Sequence, residues 1–184
     1  MHDKLRSAGP KALIVMGVSG SGKSTLAAAL AGALECTFLE GDDFHSPEAV
    51  ARMRAGIPLT DADRWPWLDR LGHAIAARLA TEAIVVATCS ALRRVYRDRL
   101  RTAITAPVSY VLMDADRDEL LRRMTGRPGH YMPPGLLNSQ LNTLERPDSD
   151  EGILTLDSRQ AVATLCTKTI TWLQGGSPST ASGD

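Results

Sequence analysis

Residues 12–24 read Ala12-Leu13-Ile14-Val15-Met16-Gly17-Val18-Ser19-Gly20-Ser21-Gly22-Lys23-Ser24, and this stretch decides the fold. Five apolar residues stopped by a glycine describe a short strand buried on both faces. Gly17 to Ser24 fits the spacing GxxxxGK(S/T), and the run from Lys23 to Leu34 reads as the helix that follows. Strand, glycine-rich turn and helix in that order are the context that turns the pattern into a phosphate-binding loop. The glycines let backbone N–H groups turn inward around a polyphosphate, and the positive end of the helix adds to the attraction. The nucleotide contacts expected from this loop are Gly17, Ser19, Gly20, Ser21, Gly22, Lys23, Ser24 and Thr25. Lys23 is expected to reach the β- and γ-phosphates of ATP and the Ser24 hydroxyl to ligate Mg²⁺.

Outward from the loop, strand and helix patterns alternate. Further strands are expected at Thr37–Glu40, Ala83–Ala87, Val108–Met113 and Ile153–Leu156. Helices are expected at Pro47–Ala55, Trp67–Ala80, Ala91–Thr102, Asp116–Met124, Pro134–Leu144 and Arg159–Trp172. Such alternation implies right-handed crossovers and an α/β fold, a parallel sheet covered by helices on both sides. Residues 1–10 read as a flexible leader, 11–174 as a single domain and 175–184 as a disordered tail.

The 184 residues are 43% hydrophobic and 23% charged, enough to bury a core. Lys+Arg and Asp+Glu both number 21, a balance that argues against a nucleic-acid binder. Only four of those cations are lysines, and arginine is suited to forked recognition of carboxylate and phosphate. Cys36, Cys89 and Cys166 lack disulfide or metal-ligand spacing, and Cys89 reads as a buried strand-end thiol. No apolar run is long enough for a membrane span and no signal core opens the chain, so a cytoplasmic location is expected.

Acceptor chemistry is expected where the second strand ends, beside the phosphate loop. Gly41-Asp42-Asp43-Phe44-His45 offers Asp42 to take the proton of an attacking hydroxyl and to hold Mg²⁺ through water. Asp43 reads as the N-cap of the next helix, and Asp114 and Asp116 as caps of a later one. Residues 56–68 read as a rigid, proline-punctuated loop carrying Asp61, Asp63 and Arg64 between ordering tryptophans. Arg93 and Arg97, four apart, share a helix face and form either a carboxylate clamp or a solvated face paired with Asp98. Arg123, Arg127 and His130 decorate a glycine- and proline-bracketed segment, about 123–134, that reads as a lid closing over phosphates and excluding water. No Asn-Lys-x-Asp motif is present, which disfavours a GTPase.

Taken in order, Gly17–Ser24, Gly41–His45, Gly56-Ile-Pro-Leu-Thr-Asp-x-Asp-Arg-x-Pro-Trp-Leu68, Cys89-Ser-Ala-Leu-Arg93, Tyr96-Arg-Asp98, Gly129-His-Tyr-Met132 and Ser139-Gln-x-x-x-Leu-Glu145 resemble the gluconate kinases, small enzymes of the shikimate-kinase-like group. The resemblance runs from about Leu13 to Trp172. It implies phosphorylation of D-gluconate at its 6-hydroxyl by MgATP, a P-loop kinase fold with a five-stranded parallel sheet and a mobile lid, and a homodimer. It also implies that Lys23, Asp42 and Arg127 are catalytic. His45, Arg52, Asp63, Arg64, Arg93, Arg97 and His130 are implied to line the sugar-acid site with Asp42, and Arg123 to lie near adenine. Pro128 and Arg93 depart from the family, which often carries a basic residue and a lysine there. Gln140 is a family marker to which the sequence assigns no role. Arg122-Arg-Met-Thr-Gly-Arg127 also resembles the lid entry of adenylate kinases, so a shikimate or nucleoside monophosphate kinase is the competing expectation, and a non-catalytic ATP-binding regulator a further one.

Overall fold

The computed structural model describes residues 9–125 and 135–175. Five strands, β1 (Lys11–Met16), β2 (Thr37–Leu39), β3 (Ile84–Thr88), β4 (Val108–Asp114) and β5 (Leu154–Asp157), form one sheet in the order β2-β3-β1-β4-β5. Every pairing is parallel, as the alternation of elements requires.

The two-sided burial expected of β1 is realised residue by residue. Ala12, Ile14 and Met16 enter one core and Leu13 and Val15 the other, the period-2 alternation of a strand covered on both faces. The first core is closed by α3 (Asp61–Leu79), through Trp67, Leu68, Leu71 and Ile75, and by α4 (Arg94–Ile104), through Tyr96, Leu100 and Ile104. The second is closed by α1 (Lys23–Leu34) and α7 (Val162–Gln174), with Leu26, Leu30, Leu165 and Leu173 inward. The remaining helices are α2 (Pro47–Arg54), α5 (Arg117–Thr125) and α6 (Gly135–Thr143). Among the described residues no helix is long and apolar enough to cross a membrane.

Two of the element boundaries that differ from expectation matter for the site. α3 begins at Asp61, inside the stretch expected to be a loop, because Thr60 and Asp63 form a reciprocal capping box. The Thr60 N–H donates to Asp63 Oδ2 at 2.7 Å and the Asp63 N–H to Thr60 Oγ1 at 3.3 Å, satisfying amides that a helix start otherwise orphans. Pro66 lies inside the helix, so the cap outweighs the one ladder bond that proline removes. α4 starts at Arg94 rather than Ala91, and Arg93 is its extended N-cap.

Of the expected lid, about 123–134, residues 123–125 are the end of α5 and 126–134 lie outside the described residues, as do the leader up to Ala8 and the tail beyond Gly175.

Candidate active site

The phosphate loop is built by backbone geometry. Gly17, Gly20 and Gly22 have φ of 136°, 80° and 93°, in the region that favours glycine. The Gly17 N–H donates to Ser90 O at 3.2 Å and the Ser21 N–H to Val18 O at 3.3 Å. α1 then opens at Lys23, presenting its first amides and its dipole to the loop. The Ser21 hydroxyl is buried with no hydrogen-bond partner, a donor whose proton a phosphate oxygen would accept. Lys23 Nζ donates to Val18 O at 3.0 Å. Burial lowers its pKa, and the charges of Asp42, Glu40 and Cys89 oppose that drop.

Opposite the loop, β2 ends in Glu40 and a 3₁₀ turn, Gly41–Phe44, that carries Asp42. This turn is pinned from three directions. Thr88 Oγ1 accepts from the Gly41 N–H at 2.9 Å and donates to Glu40 Oε1, Trp67 Nε1 donates to Gly41 O at 2.7 Å, and Arg70 Nε donates to Phe44 O at 2.9 Å. A side chain at position 41 would place its Cβ 2.0 Å from Thr88 O, so the contact requires glycine. The tryptophan expected to order its neighbours therefore does so, through its indole N–H.

His45 follows the turn and stacks on Trp67, with ring centroids 4.1 Å apart and planes 17° apart. Burial lowers its pKa to about 4; the Asp42 charge opposes the shift, and Arg70 and Arg64 add to it. The imidazole is thus neutral near pH 7, and its buried Nδ1 has no hydrogen-bond partner. The folded value lies below the ordinary 6.5, so the stability tied to His45 is present above about pH 6.5 and lost as pH falls towards 4. We expect an NMR titration of the His45 ring to show no transition between pH 6 and 7; a midpoint there contradicts this environment.

A cleft partly open to solvent joins these parts. Ser19 and Lys23 lie on one side, Asp42, His45 and Arg64 on the other, over an apolar wall that includes Leu59 and Leu92. Arg64 Nη1 donates to Tyr96 Oη at 3.3 Å, and its guanidinium lies 5.5 Å from the centre of the Tyr96 ring.

Four residues expected in the sugar-acid site do not line this cleft and are held by protein partners. Arg97 is fully buried and gives its fork to Glu151, Nε to Oε2 and Nη2 to Oε1, both at 2.7 Å, while Nη1 donates to Ala91 O at 3.1 Å. Asp98 is not its partner but pairs with Arg101, and with α4 starting only at Arg94 the Arg97 side chain lies in the core. Arg93 is held by Asp61 Oδ2 at 2.5 Å and Glu145 Oε1 at 3.1 Å, so the two arginines form no clamp. Arg52 and Asp63 pair with each other at 3.0 Å, and Asp63 also serves the α3 cap. Arg123, expected near adenine, lies against the phosphate loop, donating to Ser21 O at 3.4 Å and Ser158 O at 2.9 Å and pairing with Glu119 at 2.5 Å. Arg127 and His130 lie outside the described residues.

Asp43 is not a cap: Ser46 caps α2, accepting from the Ala49 N–H at 3.2 Å. Asp116 does cap α5, accepting from the Glu119 N–H at 2.8 Å, whereas Asp114 pairs with Arg146. Cys89 is buried, and that burial pushes its thiol up to about 12. Two site residues had no role in the sequence reading. Glu40 was readable, since it too is an acid at the carboxyl end of a strand. Gln140 was not, because its contact, Oε1 accepting from the Ser19 N–H at 2.7 Å, spans 121 residues.

Among the described residues, no cluster of three His, Cys, Asp or Glu side chains could hold a metal. Mg²⁺ in a phosphotransferase needs none, since it keeps several waters and is held mainly by substrate phosphates. One hydroxyl at Ser24 and the carboxylates of Asp42 and Glu40, both close enough to act on Lys23, fit that requirement.

The comparisons with known proteins bear on this geometry directly. The AAA domain family model matches residues 13–147. A gluconokinase of Gluconobacter oxydans is 44% identical over 153 residues, covering 83% of this chain and 85% of that protein. The crystal structure of a sugar kinase from Janibacter aligns with a TM-score of 0.83 at 46% identity, covering 89% of this chain and 94% of that one. The structure of a gluconokinase from Sinorhizobium meliloti aligns with a TM-score of 0.79 at 43% identity, covering 89% and 91%. Similarity of that extent, carried by a chain whose phosphate loop faces an acidic turn across one cavity, shows that it belongs to the gluconokinase family of P-loop kinases.

Proposed function

We propose that the chain transfers the γ-phosphoryl group of MgATP to the 6-hydroxyl of D-gluconate, giving 6-phospho-D-gluconate and ADP. The observation that carries this reading is the shared cavity: Lys23 of the phosphate loop and Asp42, His45 and Arg64 of the acceptor side line one space.

Each residue then has a task. The phosphate-loop amides and Lys23 hold the triphosphate and neutralise charge that develops on the transferring group. Mg²⁺, held at Ser24 and through water by Asp42 and Glu40, would supply further neutralisation of the β- and γ-phosphates. Asp42 accepts the proton of the 6-hydroxyl as its oxygen bonds to the γ-phosphorus and the bond to the bridging oxygen of ADP breaks. Neutral His45 exchanges hydrogen bonds with hydroxyls along the carbon chain. Arg64, already oriented by Tyr96, receives the carboxylate as a charge-assisted pair. Excluding water from the closed site would prevent wasteful ATP hydrolysis, the task the sequence reading gives to Arg127 and His130. Magnesium dependence, a homodimer and a cytoplasmic location complete the reading on the strength of the family resemblance.

The test is an acceptor panel. ADP release coupled to gluconate, shikimate or AMP is expected to be fastest with gluconate, and gluconate no better than water ends the assignment. Within it, Arg64→Met is expected to raise the KM for gluconate by about 10–100-fold while kcat changes little, the signature of lost substrate binding. An unchanged KM would remove Arg64 from the carboxylate site.

A further inference from the structure

We infer that Gln140 is a positioning residue for phosphoryl transfer, fastening the first half of the phosphate loop to the helix that follows residues 126–134. Its partner is a backbone N–H, which can only donate, so the carboxamide oxygen must face Ser19. Ser19 is buried, and Ser19, Ser139 and Gln140 line the same cavity as Lys23 and Asp42. On its apolar side, α6 packs Leu137 and Leu141 against Val18, Leu92 and Leu120. Its far end is tied down as well, where the Glu145 N–H donates to Leu92 O at 2.8 Å. Val18 and Ser19 are thus gripped together, one by packing and the other by a hydrogen bond.

Lys23 is next in this chain of contacts, because its ammonium donates to Val18 O. Gln140 to Ser19, Ser19 to Val18 and Val18 to Lys23 form an unbroken series from α6 to the group that meets the β- and γ-phosphates. Releasing Ser19 would let the Val18 carbonyl drift and carry the Lys23 ammonium with it, whereas the nucleotide contacts of Gly22, Ser24 and Thr25 are fixed by the start of α1 and would stay. Transfer should suffer more than nucleotide binding, since misplacing a reacting group by about 1 Å costs roughly 100-fold in rate.

The inference rests on the gluconate phosphorylation proposed above, and the experiment separates the two. The full chain and its Gln140→Met variant, which keeps length and loses the acceptor, are assayed with MgATP and gluconate, following ADP and 6-phosphogluconate independently. Expected for the variant are a kcat for transfer lowered about 10–100-fold, a KM for ATP within about threefold of the parent, more than one ADP released per phosphogluconate formed, and a melting temperature within about 2 °C. Gln140→Asn, one methylene too short to reach Ser19, is expected to behave alike. A kcat within about twofold of the parent in either variant overturns the inference, as does a loss of rate that tracks a lowered melting temperature with ADP and product still equal. A parent chain that fails to phosphorylate gluconate at all sinks the proposed function instead.

Discussion

Asp42→Asn is expected to lower kcat for gluconate phosphorylation by about 1,000-fold, with KM for ATP nearly unchanged. The side chain keeps its shape but cannot accept the proton of the attacking hydroxyl, and a general base contributes roughly 100- to 10,000-fold. The upper half of that range applies because the turn bearing Asp42 is held by Thr88, Trp67 and Arg70, so no neighbour swings in to substitute. Glu40 is committed to the Thr88 hydroxyl, and His45, with a pKa near 4, is a weak base. Steady-state kinetics with saturating gluconate decide the matter, and an asparagine variant retaining a tenth of the activity would mean that proton removal is not Asp42's task.

The second large effect is on stability. Arg97→Met leaves Glu151, only 2% exposed, without the guanidinium fork that holds it, with only Arg101 at 4.0 Å and the Asp148 N–H at 3.3 Å remaining, and breaking such a pair costs about 3–5 kcal/mol. For a chain of this size that corresponds to roughly 10 °C in melting temperature. Burial alone would push the Glu151 carboxyl up; the Arg97 bonds and charge outweigh it and hold the pKa below the ordinary carboxylate value. A depressed carboxylate stabilises the fold above its unfolded pKa, and the contribution is lost as pH falls through the folded one. The gap between parent and variant is therefore expected to be widest near neutrality and to narrow towards pH 4, as the Glu151 of the variant, deprived of Arg97, protonates. Urea unfolding at several pH values measures it, and a second substitution, Glu151→Leu, is expected to recover much of the loss. Below its melting temperature, Arg97→Met should bind gluconate normally; a raised KM would restore Arg97 to the sugar-acid site.

The same two arginines show where the sequence was legible and where it was not. The phosphate loop, the strand before it and all of α1 could be read because local rules decide them: an apolar run, glycines at the turn, a helix former after it. Asp42 followed from the rule that strand ends converge on the loop. Arg93 and Arg97, by contrast, were four apart on a helix whose first turn does not exist. Ala91 has φ of +44°, and helix begins only at Arg94, so one arginine faces the rim and the other the core. Their partners, Asp61, Glu145 and Glu151, lie 32, 52 and 54 residues away, and no pattern in a single sequence announces such pairings. The start of α3 was a different failure. Thr60 and Asp63 are a capping box in plain view, but the prolines of residues 56–68 read as punctuating a loop, when the cost of Pro66 is a single ladder bond.

The flat stacking of His45 on Trp67 gives the molecule a built-in optical gauge. An indole in van der Waals register with an imidazole that borders the acceptor space will change its emission when a ligand's hydroxyls polarise that imidazole. Trp172 belongs to the opposite core and Trp65 sits edge-on to Tyr96, so filling of the acceptor subsite is read as the change over their combined background in the unlabelled chain, without turnover and without ATP.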